Sequence, residues 1–118
     1  MKLITFFISL TLLAMPAIAE TQEAGLAALQ ELGRLNGQAL ACSEMGSSGK
    51  AKALMIQHAP KTRRYGEVFE EATNASFLEQ GKSAEHCPSS RDFADRLAAL
   101  ALRLQATLPA VPQALISP

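Results

Sequence analysis

CSEMGSSGKAKALMIQHAPKTRRYGEVFEEATNASFLEQGKSAEHC, residues 42–87, decides the fold of this chain. The stretch begins and ends on the only two cysteines, holds both histidines, and has an amphipathic segment feeding each end. Two helical patterns meet inside it at Pro60. Leu54, Met55 and Ile56 supply the apolar content of a short helix over Lys50–Ala59. Tyr65, Phe69, Ala72 and Ser76 recur at helical intervals between Thr62 and Gln80, with Val68, Ala75 and Leu78 beside them. Pro60 breaks or kinks the path, because its ring occupies the place of an amide hydrogen and disfavours helical geometry at Ala59. Ser43–Gly49 is a cluster of helix breakers and reads as a loop, with Ser48 as N-cap of the short helix. Lys50 and Lys52 then carry the wrong sign for a first turn. Gly81 is placed to end the longer helix in the left-handed conformation, and Lys82–Cys87 reads as a second loop.

Working outward, Leu26, Leu29, Leu32, Leu35, Ala39 and Cys42 form a helical stripe through Thr21–Ala41, widened by Leu40. Gly25, Gly33 and Gly37 lie in this segment, each costing about 1 kcal/mol of helicity relative to Ala. They are either tolerated or used for the close approach of a neighbour. On the other side, Ser89 with Asp92 three residues on resembles a capping box. Phe93, Leu97, Leu100, Leu104 and Leu108 follow as the cleanest amphipathic pattern in the chain, and Pro109 stops it. Residues 110–118 have no period and read as a loosely ordered tail. No alternating β-branched run and no hairpin turn is present, so no sheet is expected.

The geometry of residues 42–87 joins these pieces. Two cysteines far apart, without C-x-x-C spacing, are most simply one structural bridge, Cys42–Cys87. Closing a loop of this length stabilises the fold by about 4 kcal/mol in the chain-entropy model. The bridge fastens the end of the first helix to the start of the last, so those two run antiparallel. A single straight helix from Lys50 to Gln80 would carry the chain about 45 Å away. The short segment Gly81–His86 can reach back only about 20 Å. The chain must therefore reverse near Pro60, which gives an all-α, up-down array of four helices, the second short, clasped by one disulfide.

Met1-Lys2, an apolar run over Leu3–Ala14, then Met15-Pro16 and Ala17-Ile18-Ala19 have the form of a secretory signal peptide over residues 1–19. Its apolar run falls short of the roughly 20 residues that span a bilayer. The helical domain is then residues 20–109, roughly a hundred residues with its tail, enough for a modest core and no deep substrate cavity. Eleven basic and eleven acidic residues balance, and loss of Lys2 leaves one acid in excess. A charge this near zero gives no bulk attraction to nucleic acid or anionic lipid. Later apolar segments are too interrupted to cross a membrane, and a periplasmic or secreted location is expected.

Within residues 42–87 the side chains that carry chemistry are few. His58 ends the short helix, where it can bond that helix's final carbonyls. His86 adjoins Cys87, but oxidation to a bridge removes the thiol that a Cys–His nucleophile needs. His58, His86, Met45 and Met55 are donors suited to copper(I), yet none shows ligand spacing, and Met55 reads as core filler. No metal or cofactor is expected. Lys61, Arg63, Arg64 and Tyr65 form the one basic cluster, a site for docking an anionic protein surface. Arg63–Glu67 and Arg64–Glu67 stand at spacings for ion pairs that would instead make it a solvated helix start. In plan the chain resembles the small acid-stress chaperones of the bacterial periplasm: a cleaved leader, all helix and one bridge. The resemblance is one of architecture and carries no motif. No catalytic constellation is present, so the expected function is an exported, non-enzymatic helical binding or accessory protein with a protein partner. The alternative is a periplasmic stress holdase, and metal handling comes after it.

Overall fold

The computed structural model describes residues 17–110, so residues 1–16 of the expected leader over 1–19, and residues 111–118 of the expected tail over 110–118, lie outside the described residues. Four α-helices and no strand are found among the described residues: α1 Ala17–Ala41, α2 Met45–His58, α3 Arg63–Gly81 and α4 Ser90–Thr107. The Cys42–Cys87 disulfide is formed, with the two Cα atoms 5.8 Å apart. It joins the end of α1 to the turn before α4.

The helices run up, down, up and down. Glu44 at the start of α2 accepts from the Ser90 hydroxyl at the start of α4, while His58 and Leu108 meet at the opposite ends. Those two helices are therefore parallel, and both oppose α1, where Gly25 meets Leu108 and Glu31 pairs with Arg103. The core lies among these three. Leu29, Leu32, Leu35, Phe93 and Leu104 are fully buried, with Ala51 from α2 and half-buried Leu54 and Met55 closing the third side. Burying each large apolar side chain contributes about 1.5–3 kcal/mol, so this seam holds most of the stability.

The third helix stands apart. It packs on α1 and makes little contact with α2 or α4. Only Phe69, Ala72 and Gln80 of its 19 residues are buried. Close approach compensates for the narrow stripe. A Cβ at Gly33 would stand 2.6 Å from the Phe69 carbonyl oxygen, and one at Gly37 would stand 2.7 Å from the Phe77 amide nitrogen and overlap the Thr73 carbonyl oxygen. Of the two readings open for these glycines, close approach is the one realised. Polar bonds cross the same seam: the Ser76 hydroxyl donates to the Arg34 carbonyl at 2.6 Å, and the Gln38 amide reaches Gln80 at 3.5 Å.

Asn36 ties three helices together and went unnoticed in the sequence, because it stands beside Leu35 at the margin of the stripe. Its side chain is 1% exposed. Ser48 of α2 donates to its carbonyl oxygen at 2.6 Å, its amide donates to Thr73 of α3 at 3.2 Å, and Thr73 donates on to the Phe69 carbonyl at 2.8 Å. Replacing Asn36 with Ala would leave the buried Ser48 hydroxyl without its acceptor. Asn36→Ala is expected to cost about 2 kcal/mol in urea unfolding, with Ser48→Ala costing less because it leaves only an amide oxygen unpaired. Equal, negligible losses would show that the relay does not hold the helices.

Three local expectations are corrected. The segment Ser43–Gly49 is not a loop: α2 begins at Met45, leaving Cys42–Glu44 as the turn. The reason is tertiary, since Ser48 is held inside by Asn36 and so cannot serve as an N-cap, and Glu44 takes that place. Lys50 and Lys52 thereby sit beyond the first turn, which removes the clash of sign with the helix dipole. Gly81 is the last residue of α3 and is not left-handed; among the described residues only Ser43 has positive φ, at 57°. A turn of 3-10 helix, Ala84–His86, interrupts the expected loop before Cys87. The Ser89 cap is formed, its hydroxyl accepting from the Asp92 amide at 3.1 Å. The Asp92 carboxylate turns to Arg96 instead of completing the box.

Candidate functional site

The residues of the expected basic cluster lie in the turn between α2 and α3 and at the start of α3, in different settings. The Lys61 ammonium donates to the Ile56 carbonyl at 3.0 Å, capping the end of α2. Tyr65 is half-buried and packs on the core, while Arg63 and Arg64 are exposed at the start of α3. Neither arginine pairs with Glu67; the ion pairs among the described residues are Glu79–Lys82, Asp92–Arg96 and Glu31–Arg103. Of the four, Arg64 alone joins a larger feature, because it points into the main groove of the molecule.

The histidines are separated as well. His58 is buried, and its Nδ1 donates to the Leu108 carbonyl at 2.7 Å. It therefore caps α4 and not its own helix, a correction that follows from the parallel course of α2 and α4. The interaction is with a backbone carbonyl, so the ring needs a proton on Nδ1. His86 is exposed beside the disulfide at the other end of the bundle. Met45, also exposed, starts α2 near that end, and Met55 packs against the core. The four donors considered for a metal are thus distributed over both ends of the fold. No three of His, Cys, Asp or Glu converge among the described residues.

The groove arises where α3 and α4 fail to meet. Its floor is the face of α1 from Glu23 to Gln38, its walls are α3 on one side and Arg96 of α4 on the other, and His86 closes the clasp end. At 1.5 Å per residue that floor is about 22 Å long. The groove encloses about 1050 Å³. Leu26, Ala27, Val68, Ala72 and Ala75 give it an apolar bed. No protein-family model, curated protein or solved structure matches this chain. The site must therefore be read from its own chemistry.

That chemistry is one of charged walls over small apolar residues. Arg34 and Arg96 line both this groove and a notch of about 310 Å³ between α1 and α4, so they form the ridge on the α4 side. Glu71 and Glu79 stand on the α3 side. At the far end the signs exchange, with Arg64 on α3 and Glu23 on α1. The amide oxygen of Gln38 is buried on the floor without a hydrogen-bond donor among the described residues. A second trough, between α2 and α4, is smaller, at about 370 Å³, and alanines and leucines make up most of its lining. Sequence reasoning found the helices but not the groove, since nothing in the periodicity of α3 says that it will pack on one neighbour only.

Proposed function

We propose that this chain is an exported, non-enzymatic helical binding protein whose open α1 face receives a helix of a partner protein. One observation carries the reading: α3 packs almost entirely on α1 and leaves α1 uncovered between α3 and α4. A groove about 22 Å long accommodates roughly four helical turns. Its walls are helices whose backbone groups are already paired, so an extended peptide would find no ladder to join. A helix satisfies its own backbone and offers side chains alone. The leader-like residues 1–19 support export, and a structural disulfide is compatible with an oxidising compartment. No helix among the described residues is long and apolar enough to cross a membrane.

An 18-residue helical peptide with a Leu/Ala face and Gln flanks is the simplest probe. It is expected to bind the oxidised protein, and Ala75→Trp, which fills the bed, is expected to weaken it roughly tenfold or more. Equal binding to wild type and variant would place the contact elsewhere and overturn the reading.

The holdase alternative requires a fold that opens in acid. No carboxylate among the described residues is buried, and the core stripes carry no titratable group except His58 at their edge. The expected result is a folded protein down to mildly acidic pH, without a rise in apolar dye binding or protection of an aggregating client. A sharp rise with client protection would make the holdase reading the correct one.

A further inference from the structure

We infer that the helix received by the groove carries opposite charges on its two flanks, acidic toward Arg34 and Arg96 and basic toward Glu71 and Glu79. The inference rests on the groove reading above and specifies the partner it takes. Across the clasp-ward half of the groove the walls differ in sign. Arg34 makes no ion pair among the described residues, and Arg96 holds Asp92 only at 3.5 Å in an exposed pair. Glu71 likewise makes none, and Glu79 meets Lys82 at 3.9 Å with both side chains mostly exposed. Exposed pairs of this kind are weak and are readily exchanged for a partner's charge. The walls are therefore available, and they are not neutralised by each other across the bed.

A helix with acid on both flanks would meet Glu71 and Glu79 on one side; one with base on both would meet Arg34 and Arg96 on the other. Like charges brought together in this way reject a partner, while complementary walls fix its register. Direction is fixed too. Reversing a helix in the groove exchanges its flanks, so the arginine ridge allows one orientation of a split-charge helix. The exchanged signs at Arg64 and Glu23 then ask for a charge inversion in its last turn.

The experiment uses the full oxidised protein and four 18-residue helical peptides sharing one Leu/Ala face. Their flanks are Glu with Lys, Glu on both, Lys on both, and Gln on both. The split-charge peptide is expected to bind roughly tenfold more tightly than either single-sign peptide at low salt, with the advantage shrinking as salt rises. Arg34→Glu with Arg96→Glu makes both walls acidic and is expected to move the preference to the Lys-flanked peptide. Glu71→Lys with Glu79→Lys makes both basic and is expected to move it to the Glu-flanked peptide; circular dichroism verifies each fold. If the Gln-flanked peptide binds and the three charged peptides bind alike, the charge inference is overturned while the groove reading stands. If no peptide binds, both are overturned.

Discussion

Reducing the Cys42–Cys87 bridge is expected to lower the thermal unfolding midpoint by roughly 15–30 °C. The estimate follows from the closed loop. A sequence separation of 45 corresponds to about 4 kcal/mol of loop-closure entropy removed from the unfolded chain. For a domain near a hundred residues, each kcal/mol moves the midpoint by about 4–8 °C. A domain of this size has only about 5–15 kcal/mol in total, so the reduced form should remain folded at low temperature with little in reserve. Paired melts with and without reductant, checked by thiol titration of the unfolded protein, measure the effect. A shift of a few degrees would mean that residues 42–87 are already compact in the unfolded state. Free thiols before reduction would mean that the bridge is absent.

The second large effect is expected at Gly37, where the sign of a Gly→Ala change is decided by packing. Helix propensity alone favours Ala by about 0.5–1 kcal/mol. Against this, a Cβ at Gly37 meets the α3 backbone at Thr73 and Phe77, atoms that cannot rotate away. The helix must move outward, lengthening the Asn36–Thr73 and Arg34–Ser76 bonds and loosening Phe69. Such overpacking costs about 1–3 kcal/mol, and more where backbone must shift, so Gly37→Ala is expected to destabilise by about 2 kcal/mol net. Gly49 and Gly66 lie in helices with nothing within 4 Å of a built Cβ. Ala at either should stabilise by about 0.5–1 kcal/mol. Urea midpoints for the three variants provide the comparison. If all three were stabilised alike, the close seam between α1 and α3 would be wrong.

How much of this was legible beforehand depended on whether a feature is local. The fourth helix was fully readable, because its leucines repeat without interruption and Ser89 and Pro109 mark its ends. The reversal at Pro60 followed from chain length against the reach of Gly81–His86, an argument that needs no tertiary knowledge. The beginning of α2 was not readable, since Gly46, Ser47, Ser48 and Gly49 favour a loop locally and are overruled by the buried bond from Ser48 to Asn36. His58 failed similarly: its proximity to the end of α2 concealed a partner 50 residues away. For the candidate site, Arg64 was named from the sequence, and the groove it borders was not. The walls at Arg34, Glu71 and Arg96 come from three helices, and only the missing contact between α3 and α4 makes them face one another.

The disulfide also gives the molecule the connectivity of a ring with two arms. The ring holds α2 and α3, and the arms, α1 and α4, leave it at the same point and zip together through Leu29, Leu32, Leu35, Phe93, Leu97 and Leu104. A backbone nick anywhere in the ring, including the exposed corner at Pro60, leaves one covalent molecule whose two core helices are still tethered where they meet. Damage confined to the ring would free α3, which packs mainly on α1, while the two arms stayed joined at the disulfide and along the leucines they share.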